Sequence, residues 1–158
     1  MNSKTVVIGI GNQLLMDEGI GVHTINELEK HDLPGSAVIY DGGTGGFKLI
    51  DLMHGAARVI FIDAVETGKA PGSVTIFNAE DVHSIYNKKK YSLHDTNLME
   101  IIKMAKILGN PPMIEIIGIQ PKTIGYGTTL SKELTDSMSN IINSVLMRID
   151  EVCSTPSA

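Results

Sequence analysis

The sequence predicts an α/β protein, a three-layer α/β/α sandwich built on a five-stranded, mostly parallel mixed sheet. Short apolar runs alternate with longer segments of helical periodicity along the chain. The runs 5–10 and 58–65 are apolar almost without a break, which is typical of strands buried on both faces of a parallel sheet. Glycine turns separate the first strands from the helices that follow, as in repeated strand–helix units.

The strands differ in their expected direction. The connection 66–72 is too short for a helical crossover, so the fourth strand is expected to run antiparallel to the third. The other connections are long enough to return the chain for parallel pairing. The predicted strands are residues 5–10, 37–40, 58–65, 73–77 and 113–119.

Helices are predicted at 17–30, 47–53 and 92–108, and from Ser131 onward. Ser131 is a good N-cap residue, and Ser92 and Asp95 have capping-box spacing. Residues 1–153 are expected to form a single domain and 154–158 a disordered tail. The apolar side chains available for packing in the second helical segment are Phe47, Leu49, Ile50, Leu52 and Met53. The packing stripe predicted for the last helix is Leu134, Met138, Ile141, Val145, Leu146 and Ile149.

Composition excludes several classes of function. The net charge of −5 gives no electrostatic support for binding nucleic acid. The one cysteine, Cys153, excludes a disulfide framework and a cysteine-based zinc site. No apolar run approaches the about 20 residues that span a bilayer, and no signal peptide precedes the first strand. We therefore expect a cytoplasmic protein that does not bind membranes.

Three residues are candidates for one site. In open α/β sheets, ligands bind beyond the carboxyl ends of the strands. Glu18 opens the first helix, on the face of Val22 and Ile25, and Asp63 is the one charge inside the third strand. His94 precedes Leu98 by four residues and is expected to face the sheet from the first turn of its helix. Two carboxylates and an imidazole can ligate a divalent first-row metal.

Each candidate has an ordinary structural explanation. Glu18 alone fits a helix-terminal charge that the helix dipole favours. Asp63 fits a paired structural carboxylate, although an acid in an apolar strand is costly unless it is paired or coordinated. His94 fits a hydrogen-bonded core histidine. Asp41, after the second strand, either braces the glycine loop 42–46 or contacts substrate.

Six short motifs occur in order along the chain: residues 9–12 (Gly-Ile-Gly-Asn), 17–22 (Asp-Glu-Gly-Ile-Gly-Val), 41–46 (Asp-Gly-Gly-Thr-Gly-Gly), 61–65 (Phe-Ile-Asp-Ala-Val), 92–94 (Ser-Leu-His) and 117–121 (Ile-Gly-Ile-Gln-Pro). This ordered set resembles the hydrogenase maturation proteases, which process the large subunit of nickel–iron hydrogenases. The resemblance covers about residues 4–150, and the set is far more specific than any one motif.

The resemblance implies an endopeptidase that removes the C-terminal extension of the large-subunit precursor after nickel insertion, with residues 1–153 as a single protease domain. It implies that Glu18, Asp63 and His94 are the catalytic and nickel-binding residues. The nickel would be carried by the substrate, and no nucleotide would be needed. Asp41 matches a position tied to substrate recognition or cleavage, and Gly42 and Gly43 accompany it.

Another class of function stays open at this stage, namely a non-catalytic nucleotide-binding or metal-delivery α/β module. The turn 9–14 begins like a dinucleotide fingerprint, but Leu14 occupies the position of the third glycine. A metal-delivery adaptor would bind the precursor without shortening it. A degenerate relative that keeps only the fold is disfavoured by the intact set Glu18, Asp63 and His94.

Overall fold

The computed structural model describes residues 4–81 and 98–155. Its five-stranded sheet has the order β2-β1-β3-β5-β4. The strands are β1 (Thr5–Gly9), β2 (Ala37–Asp41), β3 (Arg58–Ala64), β4 (Val74–Asn78) and β5 (Met113–Ile119). The predicted fold class is confirmed, and each predicted strand is present with its ends shifted by no more than a residue.

The strand directions define one edge of the sheet, at which four of the five strands end. Strands β2, β1, β3 and β5 are parallel, so they all end at the same edge, called here the carboxyl edge. At this edge Gly9 lies opposite both Asp41 and Ile62. β4 pairs antiparallel with β5, which separates it from β3. The predicted antiparallel direction of the fourth strand is therefore confirmed.

The helices cover the sheet on both faces. They are α1 (Ile20–Leu28), α2 (Lys48–Met53), α3 (Leu98–Ile107) and α4 (Lys132–Ser154), with 3-10 turns at Asp17–Gly19 and Ala79–Asp81. One core cluster joins α1 and α4 to the sheet, and a second joins α2 and α3 to the opposite face. This gives the predicted three layers. None of the described helices is both long and apolar enough to cross a membrane.

The last helix follows the prediction closely. Ser131 is its N-cap, and the Ser131 hydroxyl accepts a hydrogen bond from the backbone N–H of Leu134. The predicted stripe packs on the sheet, and Ile142 and Val152 extend it. The helix includes Ser154, and 156–158 lie outside the described residues, so the disordered tail stays a prediction. The start of the helix predicted at 92, with Ser92, His94 and Asp95, also lies outside the described residues.

Two local predictions were wrong. Phe47, expected among the packing residues of the second helix, is 73% exposed because it precedes α2, whose buried side chains are Leu49 and Met53. The first helix does not begin as an α-helix at Asp17. Met16 has a left-handed φ of 55°, and the backbone N–H of Gly19 donates to the Met16 carbonyl at 3.0 Å, which makes a 3-10 turn.

Gly21 brings α1 unusually close to the sheet. A Cβ atom at this position would lie 2.2 Å from the Ile62 carbonyl oxygen and 2.3 Å from that of Ile10. These are backbone atoms that cannot move aside without displacing a strand. The absence of a side chain at Gly21 therefore fixes the turn Asp17–Gly19 beside the end of β3.

We expect Gly21→Ala to lower the free energy of unfolding by about 2 kcal/mol or more, because the added methyl group overpacks this contact. Urea unfolding followed by circular dichroism measures the change. Gly125→Ala is the matched control, since a Cβ atom at Gly125 would meet nothing within 4 Å. Equal stability of the two variants would contradict the close approach of α1.

Candidate active site at the carboxyl edge

Glu18 lies in the 3-10 turn between β1 and α1, with only 5% of its surface exposed. Its carboxylate accepts a hydrogen bond from the backbone N–H of Asn12. The Asn12 side-chain oxygen in turn accepts the backbone N–H of Leu14 at 2.9 Å. The loop after β1 is therefore folded over the carboxylate.

Asp63 is the second-last residue of β3 and is 1% exposed. Its Oδ1 atom accepts the backbone N–H of Ala64 at 2.8 Å. Because side chains alternate along a strand, Asp63 faces the same side as Phe61, which packs in the cluster with α2 and α3. The buried acid predicted in the third strand is confirmed as buried.

The structure brings the elements of Glu18 and Asp63 together. β1 and β3 are neighbours in the sheet, and the backbone N–H of Ile10 donates to the Ile62 carbonyl at 2.9 Å. The 3-10 turn that carries Glu18 packs against β3. Both carboxylates therefore lie at the carboxyl edge, Asp63 on β3 and Glu18 on the 3-10 turn that packs against β3.

His94 lies outside the described residues, so its place in the site stays a prediction. The neighbouring helix is consistent with it. α3 leads into β5, which starts at the opposite edge of the sheet, so its first residue, Leu98, lies toward the carboxyl edge. α3 also packs on the face that Asp63 shares. Within residues 4–81 and 98–155, no three His, Cys, Asp or Glu side chains form a metal-binding group.

Asp41 ends β2 at the same edge and braces the glycine loop. Its Oδ1 atom accepts the backbone N–H of Gly43 at 2.7 Å, in a local turn. Gly43 has a left-handed φ of 53°, and its carbonyl accepts the Gly11 N–H at 2.8 Å, which ties this loop to the loop over Glu18. Gly42 is buried, and a Cβ atom there would lie 2.6 Å from the Ile8 side chain, so the loop packs closely on β1. Substrate recognition by Asp41, Gly42 and Gly43 stays a prediction.

Comparison with known proteins decides the family. A family model described as hydrogenase maturation protease matches residues 22–148. That match covers well over half of the chain. The chain belongs to the hydrogenase maturation protease family. The family resemblance predicted from the ordered motifs is thereby confirmed.

Individual maturation proteins and one solved structure are similar along most of the chain. The hydrogenase expression/formation protein HupD of Bradyrhizobium diazoefficiens is 34% identical, over 90% of this chain and 76% of that protein. HupD of Rhodobacter capsulatus is 37% identical, over 80% of this chain and 62% of that protein. The structure of the hydrogenase maturating endopeptidase HybD from E. coli has a TM-score of 0.82 and 29% identity, covering 94% of this chain and 93% of HybD.

Asp17 is a feature of this family member that sequence reasoning did not assign. Its carboxylate is fully buried and accepts three backbone N–H groups, from Lys122 at 2.9 Å, Thr123 at 2.8 Å and Ser131 at 2.7 Å. Its own N–H donates to the Thr123 carbonyl at 3.1 Å. Asp17 therefore joins the turn that carries Glu18 to the loop 120–131. The acidic pair 17–18 was visible in the sequence, but the long-range partners of Asp17 were not.

Gln120 fastens the loop that follows Asp63. Its side-chain oxygen accepts the backbone N–H groups of Thr67 at 2.6 Å and Gly68 at 3.1 Å, and the Thr67 hydroxyl at 2.8 Å. Its amide nitrogen donates to Glu66 at 2.9 Å. The motif 117–121 contains Gln120 but gives no indication of these partners. Gln120 thus holds the chain beyond β3 against the end of β5.

His23 lies on α1 and is close enough to Asp17 to be influenced by its charge. Burial lowers the pKa of His23, and the charge of Asp17 partly opposes that shift. Among the described residues, its Nε2 atom is buried without a hydrogen-bond partner. His23 therefore fits a packing histidine of α1.

Proposed function

We propose that this protein is the endopeptidase that removes the C-terminal extension of a nickel–iron hydrogenase large-subunit precursor after nickel insertion. Glu18, Asp63 and His94 recognise the nickel that the substrate carries. The observation that carries the proposal is the placement of two buried carboxylates, one on β3 and one on the turn packed against β3, at the edge where such sheets bind ligands. Membership of the family supplies the reaction class.

The buried carboxylates suit a cation that arrives with the substrate. In a site of low dielectric, attraction between a carboxylate and a divalent cation is much stronger than in water. Carboxylate oxygens and an imidazole nitrogen are ligands that first-row metals accept. At 5% and 1% exposure, Glu18 and Asp63 are held in place by backbone hydrogen bonds and are not free to swing in solvent. A precursor without nickel offers no such attraction.

Recognition of nickel also positions the peptide bond. Once the metal of the substrate is held at the carboxyl edge, the adjoining chain lies across the loops that surround Glu18. An acidic side chain of the site acts as general base toward the attacking water, or the metal of the substrate polarises the scissile carbonyl. In both cases the protein contributes mainly orientation, which reduces the entropic part of the barrier.

The test is cleavage of a large-subunit precursor in its nickel-loaded and nickel-free forms. We expect shortening of the nickel-loaded form and a rate lower by about a hundredfold or more for the nickel-free form, which lacks the positioning interaction. Intact-mass spectrometry measures the loss of the extension. Equal cleavage of both forms would remove nickel recognition from the proposal. Binding of the precursor without any shortening would favour the metal-delivery adaptor.

A further inference from the structure

Leu14 and Tyr126 project into solvent from two paired loops at the carboxyl edge. Leu14, on the loop after β1, is 64% exposed, and Tyr126, on the loop after β5, is 97% exposed. The two loops pair through their backbones, with Gly127 N–H donating to the Leu14 carbonyl at 2.9 Å and Met16 N–H to the Gly127 carbonyl at 3.0 Å. Leu15 and Gly127 form a parallel bridge, so their predecessors Leu14 and Tyr126 are neighbours across it. These two residues are called here the Leu14–Tyr126 ledge.

Buried hydrogen bonds hold the loop that carries Tyr126 in place. Asp17 fixes the loop that carries Tyr126 with bonds to the backbone N–H groups of Lys122 and Thr123, and Asp17 itself is fully buried. An isolated bridge also joins Met16 to Ile124. Tyr126 is therefore exposed although its loop is held in place by these contacts. Exposed apolar side chains that adjoin one another indicate an interaction site, whereas those scattered singly do not.

Two hydrogen bonds connect the ledge to Glu18 in the candidate active site. The Leu14 N–H donates to the Asn12 side-chain oxygen at 2.9 Å, and the Asn12 N–H donates to the Glu18 carboxylate. The loop after β1 thus exposes the Leu14 side chain to solvent and covers the buried Glu18 carboxylate. A partner that complements both features would carry a cation beside an apolar stretch of chain.

We propose that the Leu14–Tyr126 ledge is the docking surface for an apolar, extended segment of the large-subunit precursor that lies next to its metal centre. The inference rests on the proposed function and adds the surface that recognises the protein part of the substrate. Glu18 and Asp63 supply attraction for the metal, while Leu14 and Tyr126 supply apolar contact area. Aromatic anchors of this type commonly dominate binding energy at interfaces.

The test compares Leu14→Ser, Tyr126→Ser and the double variant with wild-type protein in cleavage of the nickel-loaded precursor. We expect the double variant to lower kcat/KM by about tenfold or more, mainly through a higher KM, because docking contacts contribute to binding in the ground state as well. Its thermal midpoint should stay within a few degrees of the wild-type value, since both side chains are exposed. Binding of Ni²⁺ alone, measured by calorimetry, should be unchanged.

The controls are Ile107→Ser on α3 and Met147→Ser on α4, whose side chains are 84% and 65% exposed away from the paired loops. They should leave KM unaltered. An unchanged KM in the double variant, alongside loss of cleavage in Glu18→Gln, would overturn the docking surface and keep the proposed function. Full cleavage by Glu18→Gln, or no cleavage by wild-type protein, would instead overturn the proposed function and the inference with it.

Discussion

Replacing Asp63 with Asn is expected to abolish processing of the precursor while the protein remains folded. The amide keeps the shape of the side chain and an oxygen that can accept the Ala64 N–H, now bonded at 2.8 Å. It removes the negative charge that attracts the metal of the substrate under the proposed function. We expect a loss of about a hundredfold or more in kcat/KM, the effect of removing one preorganised electrostatic group from an active site. Intact-mass analysis of the precursor over time measures the rate.

Asp136→Asn is the matched control for this prediction. This variant makes the same chemical change on α4, where the Asp136 side chain is 61% exposed and pairs with Lys132 at 2.7 Å. The Asp136→Asn variant should process the precursor at the wild-type rate. A folded Asp63→Asn variant with full activity would show that Asp63 is dispensable. Should Asp63→Asn unfold, Glu18→Gln tests the other described carboxylate in the same assay, and full activity there contradicts the proposed site.

Asp17→Ala is expected to produce the largest loss of stability among single changes at this edge. The substitution removes the acceptor of three backbone N–H groups, which belong to Lys122, Thr123 and Ser131. Each buried donor left without an acceptor costs about 1–3 kcal/mol, so the free energy of unfolding should fall by about 3 kcal/mol or more. Urea unfolding with tyrosine fluorescence and circular dichroism measures it.

Two further variants make the Asp17 prediction specific. Asp17→Asn keeps one acceptor oxygen and should lose less stability than Asp17→Ala. Asp136→Ala removes an exposed carboxylate from an i,i+4 pair and should change stability by less than about 1 kcal/mol. Comparable stability of Asp17→Ala and Asp136→Ala would mean that water satisfies the three amides, and Asp17 would lose its role as a clamp.

The sequence was sufficient for features that depend on local pattern. Apolar runs predicted the buried strands β1, β3 and β5, and the helical stripe with the Ser131 cap predicted α4. Parallel topology then placed Glu18 and Asp63 at one edge, because the carboxyl ends of parallel strands coincide. These inferences needed only periodicity and chain direction.

Features that depend on distant partners were not available from the sequence. The partners of Asp17 and Gln120 lie on other loops, so neither role has a local signature. Phe47 matched the apolar spacing of its segment but precedes the buried turn of α2. The 3-10 start of α1 results from the backbone of Met16 and the close contact of Gly21, which no propensity encodes. His94 stays predicted from its motif and its spacing from Leu98.

The hydrogen bonds of Asp17 also determine when, during synthesis of the chain, the turn that carries Glu18 can be completed. Its partner amides are 105, 106 and 114 positions further along the chain. A ribosome-bound fragment that ends before Lys122 contains Glu18 and Asp63 but none of the amides that fasten the Glu18 turn from the far loop. Because chains emerge from their N-terminus, the turn that carries Glu18 lacks these three contacts in the nascent polypeptide until Ser131 has been translated.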